Sequence, residues 1–247
     1  MVDIHSHILP GLDDGSTSLE ESIAMVQMAL EAGTTAIVAT PHASSHYSFD
    51  FDTVRKKAAE LGAAVPGIAI YTGCDFHLSI DNLEAALKHP RRYTINQQQY
   101  LLVEFPEMVT FTTTPQIFER LRSEGMIPIV THPERNAFLQ EKVDEMAEWV
   151  AQGAYIQVTA QSFLGLFGNH VRDSAHQLMK RGLVHFVASD AHDLTQRTTR
   201  LKESYDHVAG RFGEHLAEQV FVRNPAAAVA GEALPVQTAR RRKRWWF

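Results

Sequence analysis

The sequence predicts an α/β fold, a distorted TIM-like barrel of seven strand–helix units. Three observations predict it. Short β-rich apolar runs alternate with longer helical patterns seven times along the chain, and parallel neighbours require crossover helices of this kind. Several joins read as helix, glycine stop and strand, as in Glu124-Gly125-Met126-Ile127, Gln152-Gly153-Ala154-Tyr155 and Arg181-Gly182-Leu183-Val184. A length of 247 residues suits a closed or nearly closed barrel better than an open sheet.

Taken in order, the expected strands cover residues 2–8, 35–40, 68–73, 100–105, 127–131, 155–159 and 183–189. Their brevity and their valine, isoleucine and aromatic content favour strands over helix fragments. The first helix opens at Ser18 with Glu21 three residues on, a capping-box pattern. Ile23, Val26, Met28 and Leu30 give it an apolar face before Gly33 stops it. Pro115 suits a first-turn position, and Ile117, Phe118 and Leu121 follow before a stop near Gly125. Further helices are expected over 51–61, 80–87, 141–151, 169–180 and 199–212. No linker divides the chain, so residues 1–230 read as one domain and 231–247 as a disordered basic tail.

Composition narrows the function classes. Hydrophobic residues make up 45% and charged residues 21%, which excludes wholesale disorder. Cys74 is the only cysteine, so no internal disulfide can form and a reducing cytoplasm is expected. No apolar run approaches the ~20 residues of a membrane span. The opening MVDIHSHILPG lacks the basic and apolar regions of a signal peptide, so a cytoplasmic chain is expected. Net charge is −6, although Arg240, Arg241, Arg242, Lys243 and Arg244 all sit at the end. The body is therefore strongly acidic and unsuited to nucleic acid. The tail RRRKRWWF suggests at most a weak contact with an anionic membrane surface, or none.

The metal-capable side chains follow the strands. His5 and His7 close the first, with Asp13 and Asp14 in the loop after it. His42 follows the second, Asp75 the third, Glu104 ends the fourth, His132 the fifth, and Asp190 with His192 the seventh. Barrels build their active sites at this end, where the βα loops converge. Uncompensated carboxylates gathered there would repel one another, and bound dications remove that cost. His5 and His7, two apart in a strand, project to one face and can reach one ion. Imidazole and carboxylate without thiolate suit Mn, Fe, Co or Zn. The number of candidate ligands exceeds what one ion needs, so two or three divalent ions are expected.

The ordered motifs HSH, TPH, the acidic residue after the third strand, then E, HPER and SDAH resemble the PHP (polymerase and histidinol phosphatase) superfamily. Within it, DIHSHILPGLDDG, LVEFP, THPERN and ASDAHD look like the capsular and exopolysaccharide protein-tyrosine phosphatases of the CpsB/YwqE type. The resemblance implies a PHP-type barrel and a three-metal site, Mn first among the candidates. One metal would take His5, His7, Asp75 and Asp190, a second Asp75, Glu104 and His132, and a third Asp14, His42 and His192. It further implies that Arg135 and Arg197 grip the phosphate as catalytic and substrate-binding residues. The family often has Glu where this chain has Asp75, which shortens the bridging carboxylate by one methylene.

The expected reaction is hydrolysis of phosphotyrosine by a metal-bridging hydroxide, the substrate being a tyrosine-phosphorylated protein such as a bacterial tyrosine kinase tail. Phenolate, with a pKa near ~10, leaves without much help from an acid. A cysteine phosphatase is excluded, because the position six after Cys74 is Ile80 and not arginine, and Asp75 would oppose a thiolate. The competing readings are a small-molecule phosphatase such as histidinol phosphatase, a DNA 3′ exonuclease and a catalytically inactive scaffold. The acidic body and missing polymerase domains disfavour the exonuclease, and the filled motif positions disfavour the scaffold. Tyr47, Phe49 and Phe51 offer either an aromatic rim for a phenyl ring or ordinary core packing. Oligomeric state is not legible in the sequence.

Overall fold

In a computed structural model of the chain, residues 1–106 and 112–234 are described. Among them are the strands β1 (Val2–Ser6), β2 (Ala36–Ala39), β3 (His42–Ala43), β4 (Ala69–Thr72), β5 (Asp75–His77), β6 (Tyr100–Glu104), β7 (Ile127–Thr131), β8 (Tyr155–Thr159) and β9 (Phe186–Ala188). All pairings between them are parallel. One sheet has the order β1-β2-β4 and the other β3-β5-β6-β7-β8-β9. The α/β class with parallel sheets is as expected, and every expected strand is present.

Two expected strands are each continued by a second, shorter one. After β2 the chain meets Pro41, which has no N–H to give to a ladder, and pairing resumes at β3. Gly73 and Cys74 separate β4 from β5. A Cβ at Gly73 would lie 3.2 Å from both Thr40 Cγ2 and Val38 Cγ1, so the two chains approach there as only glycine allows comfortably. This offset delivers chemistry: β3 and β5 pair His42 with Asp75 in register, and Asp75 in turn with Leu102.

The first and last strands also meet. Ser6 and Ala191 form a parallel bridge, the Asp190 N–H donates to the His5 carbonyl at 2.8 Å, and the His7 N–H donates to the Ala191 carbonyl at 2.8 Å. Beneath these strand ends Ile4, Val38, Tyr100, Leu102, Ile129, Phe186 and Ala188 form one buried apolar cluster drawn from five strands. Each such large side chain contributes about 1.5–3 kcal/mol by leaving water. The cluster is a stiff floor under the polar groups above it.

Ser18 caps the helix Leu19–Glu31 by accepting from the Glu21 N–H. The Glu21 carboxylate turns to the Thr17 N–H and hydroxyl, so only half of the expected capping box forms. Asn169–Lys180 has the expected bounds, and Pro115 lies in the first turn of Thr114–Ser123. The helix expected over 141–151 starts two residues later, as Val143–Ala151, and a short helix that was not expected, Ala137–Gln140, precedes it. The last helix among the described residues, Asn224–Ala230, ends at Gly231 with φ 73°.

The tail expectation is corrected for residues 231–234. The Tyr100 hydroxyl donates to the Glu232 carbonyl at 2.6 Å, Gln99 Nε2 donates to the Gly231 carbonyl at 3.1 Å, and Leu234 is buried in the floor cluster. An apolar leucine with a place under the strands keeps this stretch packed. The run RRRKRWWF, and with it the weak membrane contact expected of it, lies outside the described residues. No helix among the described residues is long and apolar enough to cross a membrane.

Candidate active site

All nine residues that the family resemblance assigns to metals come together at the strand ends. Four sets have ligand atoms within 4.8 Å of one another: His7, Asp14, His42 and His192; His5, His7 and Asp75; His5, His132 and Asp190; and His42, Asp75 and Glu104. The sets overlap, and Asp14, His42 and His192 share one as expected. His132 sits with His5 and Asp190, its ring centroid 5.7 Å from that of His5, whereas His42 sits with Asp75 and Glu104. Glu104 Oε1 is still 3.6 Å from His132 Nε2. The register of β3 and β5 explains why His42 takes the place beside Asp75.

Asp75 is short for its position but reaches both sides. Its Oδ2 lies 3.1 Å from His42 Nδ1 and 3.5 Å from His5 Nε2.

Three imidazoles are held with one nitrogen facing the centre. His5 Nδ1 meets Gln157 Oε1 at 3.0 Å, His7 Nδ1 meets Asp13 Oδ2 at 2.7 Å, and His192 Nδ1 meets the Asp190 carbonyl at 2.9 Å. Each acceptor stabilises the tautomer with hydrogen on Nδ1 and leaves Nε2 free to bind a cation, the usual arrangement behind a metal-binding histidine. Asp13 also accepts from the backbone N–H groups of Gly15 and His42, each at 3.0 Å. Sequence reading left Asp13 without a role and missed Gln157. A signal existed for Gln157, a lone amide between apolar neighbours in YIQVT.

The backbone is strained where the ligands need to turn. His132 has φ 33° and Asp190 φ 50°, both in the left-handed region that side chains other than glycine seldom adopt. Gly15 is forced by contact, because a Cβ there would collide with the carbonyl and Cβ of His7.

Electrostatics follow from burial and crowding. Burial resists protonation of His5, but Asp75 and Asp190 together outweigh it and push the imidazole up to about 9. Burial likewise opposes charge on His42, and Asp14 and Asp75 raise it to about 11. Burial and then His7 lower His192 to about 4. Burial opposes ionisation of Asp190, yet Arg135 and His5 hold it well below the usual carboxylate range. Burial, aided by Asp75, pushes the Cys74 thiol well up, which removes it as a nucleophile.

Arg135 and Arg197 converge on one oxygen. Both guanidinium groups donate to Asp190 Oδ2, Arg197 at 2.6 Å, while Asp190 Oδ1 lies 3.4 Å from His5 Nε2 and 3.5 Å from His7 Nε2. Asp190 thus joins the arginine pair to the histidine cluster. Among the aromatic candidates, Tyr47 stacks on His42 at 5.9 Å, whereas Phe49 packs on Tyr93 and Phe51 lies under Arg55. His77 also stands beside the cluster, its Nδ1 3.5 Å from Glu104 Oε2.

The family model for capsular polysaccharide synthesis, CpsB/CapC, matches residues 1–230. The chain belongs to the CpsB/CapC family. CapC from Staphylococcus aureus is 35% identical over 257 residues, covering 100% of this chain and 99% of its own. The tyrosine-protein phosphatase YwqE from Bacillus subtilis is 31% identical over 256 residues, covering all of both chains. A solved chain from the crystal structures of YwqE from Bacillus subtilis and CpsB from Streptococcus pneumoniae superposes with a TM-score of 0.91 at 30% identity, over 99% of this chain and 100% of that one. Those two proteins are described as metal-dependent tyrosine phosphatases. This CpsB/CapC member therefore shares its whole described fold with them, and membership agrees with the PHP resemblance.

Proposed function

We propose that this CpsB/CapC chain is a metal-dependent protein-tyrosine phosphatase acting on a phosphotyrosyl protein of capsule or exopolysaccharide synthesis, a bacterial tyrosine kinase tail being the expected substrate. One observation carries the reading: the arginine pair and the cluster of nine candidate ligands meet on Asp190.

The donor set fits divalent cations. Both carboxylate oxygens of Asp75, Nδ1 of His42 and Nε2 of His192 are buried and make no well-aligned hydrogen bond, although Asp75 Oδ2 and His42 Nδ1 lie 3.1 Å apart, and a cation would satisfy them. The residues that would hold two or three ions are His5, His7, Asp14, His42, Asp75, Glu104, His132, Asp190 and His192. Nitrogen and oxygen donors in this mixture suit Mn, Fe, Co or Zn, and the family resemblance puts Mn first. When bound, such ions supply Lewis-acid polarisation of the phosphoryl group and make water more acidic.

The chain's own residues do the rest. Arg135 and Arg197 bind the phosphoryl oxygens with charge-assisted hydrogen bonds and neutralise them as charge builds. Gln157 and Asp13 fix imidazole orientation. The buried floor excludes water from below. Tyr47, stacked on His42, offers an aromatic face beside the cluster for a tyrosyl ring. A phenolate leaves readily, so weak acid assistance suffices.

Two structural readings belong with this proposal. The contacts between β1 and the end of β9 support a distorted seven-position barrel, and residues 1–230 form its single domain. The single buried cysteine supports a cytoplasmic home. The test is initial rates of the full-length, Mn-loaded chain on a phosphotyrosyl peptide and on histidinol phosphate. A higher kcat/KM on the peptide is expected, and a preference for histidinol phosphate would overturn the reading.

A further inference from the structure

The segment between β8 and the helix Asn169–Lys180 carries an aromatic ring that the proposed reaction leaves unused. The Arg135 guanidinium lies over the Phe167 ring, 4.7 Å from its centroid. The segment is firmly built. Gly165 and Gly168 have φ 85° and 93°, and the Gly168 N–H donates to the Gly165 carbonyl at 3.0 Å, closing a tight turn around Leu166 and Phe167. At its base the fully buried Glu134 accepts from the Thr159 N–H at 2.9 Å and the Ser162 hydroxyl at 2.7 Å. Glu134 directly precedes Arg135 in the chain, so the turn and the arginine share one anchor.

Arg135 has few other constraints on its charged end. Among the described residues its guanidinium donates, besides Asp190, to Thr159 Oγ1 at a long 3.4 Å. The Asp190 carboxylate is also surrounded by imidazoles and must serve them too. A guanidinium fixed by one shared carboxylate can swing; a ring beneath it removes that freedom through cation–π attraction and contact. No aromatic ring is paired with Arg197 among the described residues. The two arginines are therefore supported differently.

We infer that Phe167 is a positioning residue for phosphate binding, holding the Arg135 guanidinium plane toward the phosphoryl group. The inference rests on the phosphatase reading above, in which Arg135 contacts phosphate.

The test is inhibition by inorganic phosphate and turnover of p-nitrophenyl phosphate, measured on the full-length Mn-loaded chain. Phe167→Leu should raise the phosphate inhibition constant and KM roughly three- to tenfold, with kcat changing less and thermal melting little moved. Phe167→Tyr should restore both values. In an Arg135→Ala background Phe167→Leu should have no further effect, while in an Arg197→Ala background it should act in full. Equal effects in both backgrounds would overturn the inference in favour of a general structural role. So would wild-type constants in Phe167→Leu when the parent chain is active. A parent chain that hydrolyses no aryl phosphate would overturn the phosphatase reading itself, a distinct result.

Discussion

Asp190 sends one oxygen toward His5 and His7 and the other to Arg135 and Arg197, so at the residue scale the site has two separable jobs. Removing a phosphate contact should leave the ions in place. Arg135→Ala is expected to lower kcat/KM about a hundredfold or more, with unchanged metal content by elemental analysis. Removing an orienting group should do the reverse. Asp13→Asn weakens the 2.7 Å contact that fixes His7, and Mn affinity by calorimetry should fall roughly ten- to hundredfold. The candidate ligands were legible in the sequence, because histidines and carboxylates at strand ends stand out against apolar neighbours. The approach of His42 to Asp75 was not, since it depends on where the second and third strands break. Asp13 and Gln157 were hidden because a supporting hydrogen bond leaves no spacing pattern.

At the scale of elements, the tightest constraint is the loop after β1. Gly15 has no space for a Cβ beside His7, so Gly15→Ala should displace the loop, lowering both the melting temperature and the bound metal. A second element-scale effect lies where β9 begins. His185 accepts the Ile156 N–H at 3.2 Å and donates its own N–H to the Ile156 carbonyl, and burial holds its imidazole down at about 4. An exposed histidine titrates near ~6.5. Unfolding therefore takes up a proton between these values, and stability is lost as pH falls from ~6.5 toward 4. For this group the slope is about 1.4 kcal/mol per pH unit. Urea melts of metal-free His185→Gln should show a pH dependence shallower by about that amount across the window. Expected strands and observed strands agree closely because apolar runs between glycine stops are unambiguous. The short strands β3 and β5 could not be read, since two or three residues carry no periodicity. Residues 231–234 misled for the opposite reason: their polar, glycine-containing start masks the single leucine that docks.

At the scale of the whole molecule, the fold and its cations depend on each other. Nine candidate ligands, most of them buried, gather acidic and imidazole groups that only a bound ion fully satisfies. A ligand that binds only the folded chain stabilises it by mass action, so the melting temperature should climb with added Mn and drop on chelation. The α/β class with parallel sheets was readable because seven alternations leave few topologies; the particular bridge between Ser6 and Ala191 was not, because one bridge has no sequence signature. The most direct test of the central claim is phosphate release from a phosphotyrosyl peptide by the metal-stripped full-length chain as Mn is added back. Release that rises with Mn, stops on chelation and is absent in Asp75→Asn is the predicted result. No release with Mn, Fe, Co or Zn, or release that is indifferent to chelation, would contradict it.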